Sequence, residues 1–331
     1  MKVAVGLSGG VDSAVAALLL KEVGHEVTGV TMRVGLSSDE RNVADAAAVA
    51  AKLGIATAVV DLSGDYAREV LGYFRATYLA GKTPNPCVRC NELVKFGLLP
   101  RLAREQGVDF ERFATGHYAR VAVREGKGGC ALRRAKDAGK DQSYFLYRVP
   151  RETLAKVVFP LGDLLKAEVR EIARAAGLEV AGRPDSQDFC AGEAIAAVGV
   201  EDRVGEIVDV NGKTLGTHRG YWHYTIGKRR GLGVGGGIPY YVVDIDAANN
   251  RVIVGFKADA VRTSFAVGDW AGPRPEGRCL VKVRSAGEPK GPVWVEGDAC
   301  RCPDGMMGVA PGQSAVFYDE RGMVLGGGIV R

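Results

Sequence analysis

The tightest constraint on this chain is a glycine loop set between two apolar runs. Residues 2–6 read Lys-Val-Ala-Val-Gly, then come Ser8-Gly9-Gly10-Val11-Asp12-Ser13, and residues 14–20 read Ala-Val-Ala-Ala-Leu-Leu-Leu. Adjacent glycines let backbone N–H groups turn inward as an anion cradle, and the positive end of the following helix faces the same point. Ser8 and Ser13 add hydroxyl donors. The loop lacks the lysine of G-x-x-x-x-G-K-[ST] and the spacing of G-x-G-x-x-G, so it is neither of those phosphate loops. The rhythm around it is alternating. Helices are predicted over residues 12–23, 39–53, 65–79, 93–106 and 164–176, with Gly24, Gly54 and Gly177 as stops; strands are predicted over 2–6, 26–32, 56–60 and 112–115. Such alternation predicts an α/β, doubly wound parallel sheet. Right-handed crossovers place the first strand inside it, with its loop at the carboxyl edge where ligands bind. Residues 81–91 contain Pro84 and Pro86 and are expected to be non-helical.

After about residue 193 helical periodicity fades into short strands, turns such as Asn211-Gly212 and glycine clusters. This predicts a small β-rich central domain and a C-terminal β-barrel. The expected boundaries are 1–195, 196–262 and 263–331. With 47% hydrophobic and 25% charged residues the chain is globular rather than disordered. No apolar run approaches the roughly 18 residues of a membrane span. Met1-Lys2 leads straight into the first strand, so no export signal and a cytoplasmic location are expected. Forty-four basic against 39 acidic residues give +5, which permits a polyanionic partner without requiring one.

The seven cysteines are odd in number, so thiol chemistry or metal binding is favoured over a disulfide framework. Pro84-Asn85-Pro86-Cys87-Val88-Arg89-Cys90-Asn91 is a rigid loop ahead of a helix. Cys90 lies near that helix's N-terminus with Arg89 and Lys95 nearby, features that favour thiolate. Cys190 lies far downstream in a polar stretch. One thiolate can attack while another carries a persulfide. Alternatively, Cys87, Cys90 and Cys190 can hold three irons of a [4Fe–4S] cluster and leave the fourth open. Zinc is a third option, disfavoured by the absence of a second C-x-x-C. Cys130, Cys279, Cys300 and Cys302 read as small buried hydrophobes.

The S-G-G-x-D-S order resembles the pyrophosphate loop of enzymes that cleave ATP between the α and β phosphates and activate a carbonyl oxygen as an adenylate. With further segments the resemblance becomes specific. These are Thr83-Pro84-Asn85-Pro86, Cys90-Asn91, Lys95-Phe96, residues 114–119 (Ala-Thr-Gly-His-Tyr-Ala), residues 140–146 (Lys-Asp-Gln-Ser-Tyr-Phe-Leu), Asp185-Ser186, residues 222–227 (Trp-His-Tyr-Thr-Ile-Gly) with Arg230-Gly231-Leu232-Gly233, residues 310–318 and residues 325–328. In that order, over nearly its whole length, the chain resembles the bacterial tRNA-specific 2-thiouridylases. The resemblance implies an adenine nucleotide alpha hydrolase-like catalytic domain and a tRNA-binding barrel. It implies ATP with Mg2+ as cofactor and adenylation of the carbon-2 carbonyl of the wobble uridine, at position 34, in Lys, Glu and Gln acceptor tRNAs. Sulfur then displaces AMP, supplied by a cysteine desulfurase, a relay protein or free sulfide. Gly6, Leu7, Ser8, Gly9, Gly10, Val11, Asp12, Ser13, Met32 and Gly116 are implied to contact ATP. Asn85, Pro86 and Cys87 would border the target base; His117, Lys140, Asp141, Gln142, Arg284, Ser285 and Gln313 would approach tRNA. Cys90 corresponds to the nucleophile and Cys190 to the persulfide carrier.

Two departures stand out. The family loop usually has an aspartate where this chain has Cys87, which brings the cluster-binding pattern into view. The stretch after Cys190 is short and alanine-rich, Ala194 to Val198. Read without the resemblance, the glycine loop also suits an AMP-forming synthetase or amidotransferase acting on a small molecule, which leaves the cysteines and the β-rich region without a task. A tRNA-binding protein without catalysis is a third class, opposed by the intact Asp12, Ser13 and Cys90. Lys228-Arg229-Arg230 can meet a phosphate backbone or simply be a solvated turn. Trp222 and Tyr224 suit base stacking or core packing equally.

Overall fold

The computed structural model describes residues 1–123, 129–182, 199, 201–235 and 237–331. These divide into two compact units. The first takes residues 1–70, the described part of 87–189, and 322–324; the second takes residues 71–86, the described part of 190–321, and 325–331.

The first unit is built on strands β1 (Lys2–Gly6), β2 (Glu26–Arg33), β3 (Ala56–Asp61), β4 (Arg112–Thr115) and β7 (Val157–Val158), in the order β3-β2-β1-β4-β7. Every adjacent pair is parallel. The first strand is thus the central one, as the alternating pattern requires. Helices α1 (Val11–Glu22) and α2 (Asp39–Leu53) follow β1 and β2, and α9 (Lys166–Ala175) comes late in the unit. α2 stops at Gly54, which takes the left-handed conformation at φ 60° and lets the backbone close the helix. Val3, Val5 and Leu7 from the first strand and its exit, Val15 and Leu20 from α1, and Val169 from α9 share one buried cluster. Central-strand side chains have helices over both faces, so β1 reads as a continuous apolar run.

Three local expectations are corrected. The helix predicted over 65–79 is made of α3 (Ser63–Tyr66), a wider π turn (Ala67–Leu71) and α4 (Gly72–Leu79). The helix predicted from residue 93 begins earlier. α5 (Pro86–Arg89) runs into a π-wound stretch (Cys90–Leu98) and then α6 (Leu99–Glu105). Proline is tolerated in a first helical turn, where its missing N–H has no intrahelical acceptor to satisfy. Between β4 and β7 an antiparallel ribbon also forms, β5 (Ala119–Val123) with β6 (Cys130–Arg134). These five-residue runs carry arginines among their apolar residues, which masks their strand pattern in the sequence. Helices α7 (Ser143–Leu146) and α8 (Arg151–Leu154) follow the ribbon.

The second unit is β-rich. Strands β8 (Gly205–Asp209), β9 (Thr214–His218), β10 (Tyr241–Asp246) and β11 (Arg251–Gly255) form a sheet ordered β10-β11-β8-β9. Its core gathers Ile207, Trp222, Val242, Val252 and Val254, with Tyr78 of α4 packed against it. Trp222 and Tyr224 are therefore core residues. Strands β12 (Val261–Ala271), β13 (Gly277–Lys282), β14 (Lys290–Glu296), β15 (Ala299–Met307), β16 (Ser314–Tyr318) and β17 (Val324–Val330) close a barrel in the order β12-β15-β14-β13-β16-β17. Closure leaves no strand edge unpaired. Cys279, Cys300 and Cys302 pack among Val281, Val293 and Phe317 inside it. Burial pushes the Cys279 thiol up to about 11 and the Cys300 thiol up to about 12. These stay protonated and unreactive at neutral pH. No helix among the described residues is long and apolar enough to cross a membrane.

Candidate active site

The site is built at the carboxyl edge of the parallel sheet. Chain direction reverses after Gly6, and Leu7 N–H still donates to the Val30 carbonyl at 2.9 Å. The Ser13 hydroxyl then ties the loop together. It accepts from Ser8 N–H at 3.2 Å, lies 3.1 Å from the Ser8 hydroxyl and donates to the Gly10 carbonyl at 3.1 Å. Gly9 has φ +74°, and an added Cβ would stand 2.5 Å from Asp45 Cβ, so no other residue fits without a shift. The loop ends at α1, twelve residues long, whose first-turn N–H groups point into the cradle. Gly116, just beyond β4, lies flat on that turn; a Cβ there would be 2.6 Å from the Asp12 carbonyl carbon and 2.7 Å from Ser13 N. Met32 is the penultimate residue of β2, so Gly6, Met32 and Gly116 all come from carboxyl ends of adjacent strands.

Asp12 is the carboxylate of the loop, and it is held from two sides. Tyr118 hydroxyl donates to Oδ1 at 2.7 Å; Lys166 Nζ reaches Oδ1 at 2.7 Å and Oδ2 at 2.8 Å. The Lys166 side chain, on the first residue of α9, is 11% exposed, so this is a mostly buried charge-assisted pair. The loop itself has no lysine; this one comes from 154 residues away. Its only advance signal is its place at the start of a helix after the Pro160-Leu161-Gly162 turn.

The thiol side begins at α5. Cys87 and Cys90 are three positions apart on continuous helical backbone, one turn, with Cys87 half-buried and Cys90 buried. Arg89, expected to favour a thiolate, gives its guanidinium to Glu69 at 3.4 Å, which neutralises much of that effect. Asn91 Nδ2 donates to the Phe145 carbonyl at 3.1 Å, and Glu92 pairs with Arg148 at 2.8 Å. Desolvation opposes the Arg148 charge, but its hydrogen bond to Glu92 outweighs this and holds its pKa above the ordinary arginine range.

A hydrogen-bonded path joins the two sides. From Asn91 it passes to Phe145, whose N–H donates to the Gln142 carbonyl at 2.9 Å. Gln142 N–H donates to the Tyr118 carbonyl at 2.8 Å, and Gln142 Oε1 accepts from Tyr118 N–H at 2.9 Å. Tyr118 then reaches Asp12. The glycine cradle and the Cys90 helix are thus tied through one folded unit, an arrangement suited to activating a group with a nucleotide and attacking it with sulfur.

The comparisons with known proteins agree on a lineage. Residues 1–193 match the family model described as "tRNA methyl transferase HUP domain", residues 196–256 "tRNA methyl transferase PRC-barrel domain", and residues 265–330 "Aminomethyltransferase beta-barrel domain". The chain is 42% identical over 356 residues to the tRNA-specific 2-thiouridylase MnmA of Endomicrobium trichonymphae, covering 100% of this chain and 99% of that protein. It is 45% identical to the protein of the same name from Pelobacter propionicus, covering 99% of this chain and 97% of that one. The chain belongs to the tRNA-specific 2-thiouridylase family. Its architecture is a parallel α/β HUP domain, a central PRC-barrel domain and a six-stranded C-terminal β-barrel.

For this 2-thiouridylase-family chain, the residues singled out for tRNA fall into different environments. Lys140, Arg284 and Ser285 are exposed. Asp141 is buried instead: its carboxylate accepts from Ala135 N–H at 3.0 Å and the Ser143 hydroxyl at 2.9 Å, and pairs with Arg134 at 3.2 Å. It is the internal anchor of the turn that presents Lys140. Gln142 spends its side-chain carbonyl on Tyr118. His117 shares a hydrogen bond with Thr115 Oγ1 at 2.8 Å and packs beside Phe96 and Phe159. Burial, with the Lys95 charge adding to it, pushes its pKa down to about 3, so it is a neutral imidazole. Gln313 Nε2 donates to the Pro84 carbonyl at 3.1 Å. Asn85 is buried, and its N–H donates to the Tyr73 hydroxyl at 3.3 Å. Cys190 lies outside the described residues. Among the described residues no group of three or more His, Cys, Asp or Glu side chains is placed to hold a metal ion. Asp12 is an oxygen ligand of the kind Mg2+ takes, with nucleotide phosphates supplying others. Cys87 and Cys90 are thiolate ligands of the kind a [4Fe–4S] cluster takes, two of the three it would need.

Proposed function

We propose that this chain is a tRNA-uridine 2-sulfurtransferase, converting the carbon-2 carbonyl of the wobble uridine to a thiocarbonyl at the expense of ATP. The observation that carries this reading is the hydrogen-bonded path from Asp12 to Asn91, which ties a nucleotide cradle to a helix bearing two cysteines. In the first step uridine O2 attacks the α-phosphorus. A P–O bond to that oxygen forms, the bond to the β-phosphate breaks, and pyrophosphate leaves. The Ser8 and Ser13 hydroxyls, the loop N–H groups and the amino end of α1 receive the pyrophosphate charge. Asp12, held at the cradle by Lys166 and Tyr118, is the carboxylate that would hold Mg2+ once one of its oxygens is released from Lys166, whose ammonium would then face the phosphates as the fixed cation the loop lacks. His117, neutral, hydrogen-bonds rather than neutralises.

In the second step a terminal persulfide sulfur on Cys190 attacks carbon 2, and AMP departs with the original oxygen. Cys90 thiolate then attacks the Cys190 sulfur. The S–S bond breaks, 2-thiouridine is released and a Cys90–Cys190 disulfide remains for an external thiol to reduce. A desulfurase or a relay protein, whose transferred sulfur is already at the persulfide level, reloads the reduced carrier; free sulfide would do so by attacking the Cys90–Cys190 disulfide itself, breaking the S–S bond, releasing Cys90 thiolate and leaving the persulfide on Cys190. Asn85 and Pro86 border the base, while Lys140, Arg284 and Ser285 meet the phosphate backbone of Lys, Glu and Gln acceptor tRNAs. Catalysis belongs to residues 1–195, with 196–262 central and 263–331 contributing the tRNA-binding barrel.

Cys87, one helical turn before Cys90, favours a second sulfur route. Cys87, Cys90 and Cys190 would hold a [4Fe–4S] cluster, and that group would supply sulfide in place of a persulfide. The test of function is incubation with ATP, Mg2+, a sulfur source and tRNA transcripts, followed by nucleoside mass spectrometry. 2-Thiouridine confined to tRNAs with a wobble uridine, with AMP and pyrophosphate released in equal amounts, is expected; ATP turnover without thiolated nucleoside contradicts the reading. Iron and labile sulfide in anaerobically prepared protein separate the two routes. Full activity of iron-free protein rules out the cluster.

A further inference from the structure

Residues 71–86 are interleaved in sequence with the catalytic sheet but fold with the β-rich unit. Their amino-terminal half is tied to the central sheet: Tyr78 packs on its core, and the Tyr221 hydroxyl donates to the Leu79 carbonyl at 2.8 Å. Their far end is gripped by one turn of the barrel. Thr83 N–H donates to the Pro311 carbonyl at 2.8 Å, and Gln313 Nε2 donates to the Pro84 carbonyl at 3.1 Å. Gly312, at φ +90°, lies between these bonds; a Cβ there would stand 2.8 Å from the Thr83 oxygen and 3.1 Å from its nitrogen. The turn is itself pinned to the last strand, since Gly312 N–H donates to the Val330 carbonyl and Val330 N–H to the Gln313 carbonyl.

We propose that the Pro311-Gly312-Gln313 turn is a positioning clamp for the base loop. Gln313 acts on the thiolation rate through the Pro84 carbonyl. This rests on the thiolation reading, in which Asn85 and Pro86 border the target uridine. The physical reason is geometric. Pro84 and Pro86 have no N–H to anchor them, so this loop is fixed by the carbonyl of Pro84 and the amides of Thr83 and Asn85. Two of those anchors come from the barrel turn. Misplacement of a reacting group by about 1 Å costs roughly 100-fold in rate.

The test compares Gln313→Glu, the same size but unable to donate, with Gln313→Lys, which restores a donor. For Gln313→Glu we expect a 10- to 100-fold slower single-turnover thiolation rate (of the order set by such misplacement) at saturating tRNA. The tRNA dissociation constant is measured in parallel, and the rate at saturating tRNA separates a displaced loop from a weakened tRNA contact. Amide hydrogen exchange should quicken at Thr83 and Asn85 and stay unchanged at Val281 and Phe317 in the barrel. Gln313→Lys should recover both rate and protection. If Gln313→Glu also loses barrel protection, Gln313→Met carries the same expectations without a charge. Weakened tRNA binding with an unchanged rate and unchanged Thr83 exchange would make Gln313 a tRNA contact and overturn the clamp. Faster exchange with no rate change would overturn it too. Wild-type protein that makes no 2-thiouridine would instead defeat the functional reading, and the exchange data would still decide whether Gln313 holds the loop.

Discussion

At the scale of single residues, two side chains carry most of the predictive weight. Lys166 Nζ bonds both oxygens of Asp12 in a mostly buried pair. Lys166→Met should slow ATP cleavage about 100-fold, the scale for losing one charge-stabilising donor. Lys166→Arg should retain part of the rate, as measured by pyrophosphate release. His117 offers a pH test. Its folded pKa is about 3 against an ordinary 6.5, so below 6.5 the unfolded chain binds a proton that the folded chain refuses. This group's contribution is complete above 6.5 and is lost as pH falls toward about 3. By pH 5 the loss is about 2 kcal/mol. Urea midpoints of the wild type should fall faster between pH 7 and 5 than those of His117→Asn. Equal slopes would place the imidazole in water.

At the scale of elements, close backbone approach matters more than side-chain chemistry. Gly116 leaves no room over the first turn of α1, and the atoms its Cβ would meet are backbone, which cannot swing aside. Gly116→Ala should therefore weaken ATP binding at least tenfold, an effect of about 1.4 kcal/mol or more, while leaving tRNA affinity intact; isothermal titration with each ligand checks this. The turn at residues 137–143 depends on Asp141, whose side chain is fully buried against Arg134. Asp141→Asn removes the carboxylate charge that is buried against Arg134 and should cost on the order of 3 kcal/mol by chemical denaturation. The helix start at Pro86 shows why element boundaries were harder to read than elements. Two prolines and an asparagine look like a loop, yet a proline is at home in a first helical turn.

At the scale of the whole molecule, the net +5 and the exposed Lys140, Arg284 and Ser285 predict tRNA binding that weakens steeply with salt. A loss of tenfold or more between 50 and 200 mM is expected from a handful of phosphate contacts; a flat response would contradict a backbone-reading surface. Much of this was legible in the chain itself. Period and glycine stops determined the parallel sheet with β1 at its centre, and the glycine pair determined the cradle, because both follow from local backbone geometry. Cys87-x-x-Cys90 was visible for the same reason. Three things waited for the tertiary structure: the cation at Asp12, brought from 154 residues away; the hydrogen bonds that Asp141 and Gln142 make within the fold; and the grip of Gln313 on Pro84, across 229 residues. None leaves a pattern in sequence spacing. A side chain's partner at long range is decided by how sheets and helices close around a core, and the same lysine, aspartate or glutamine would read identically on an exposed turn.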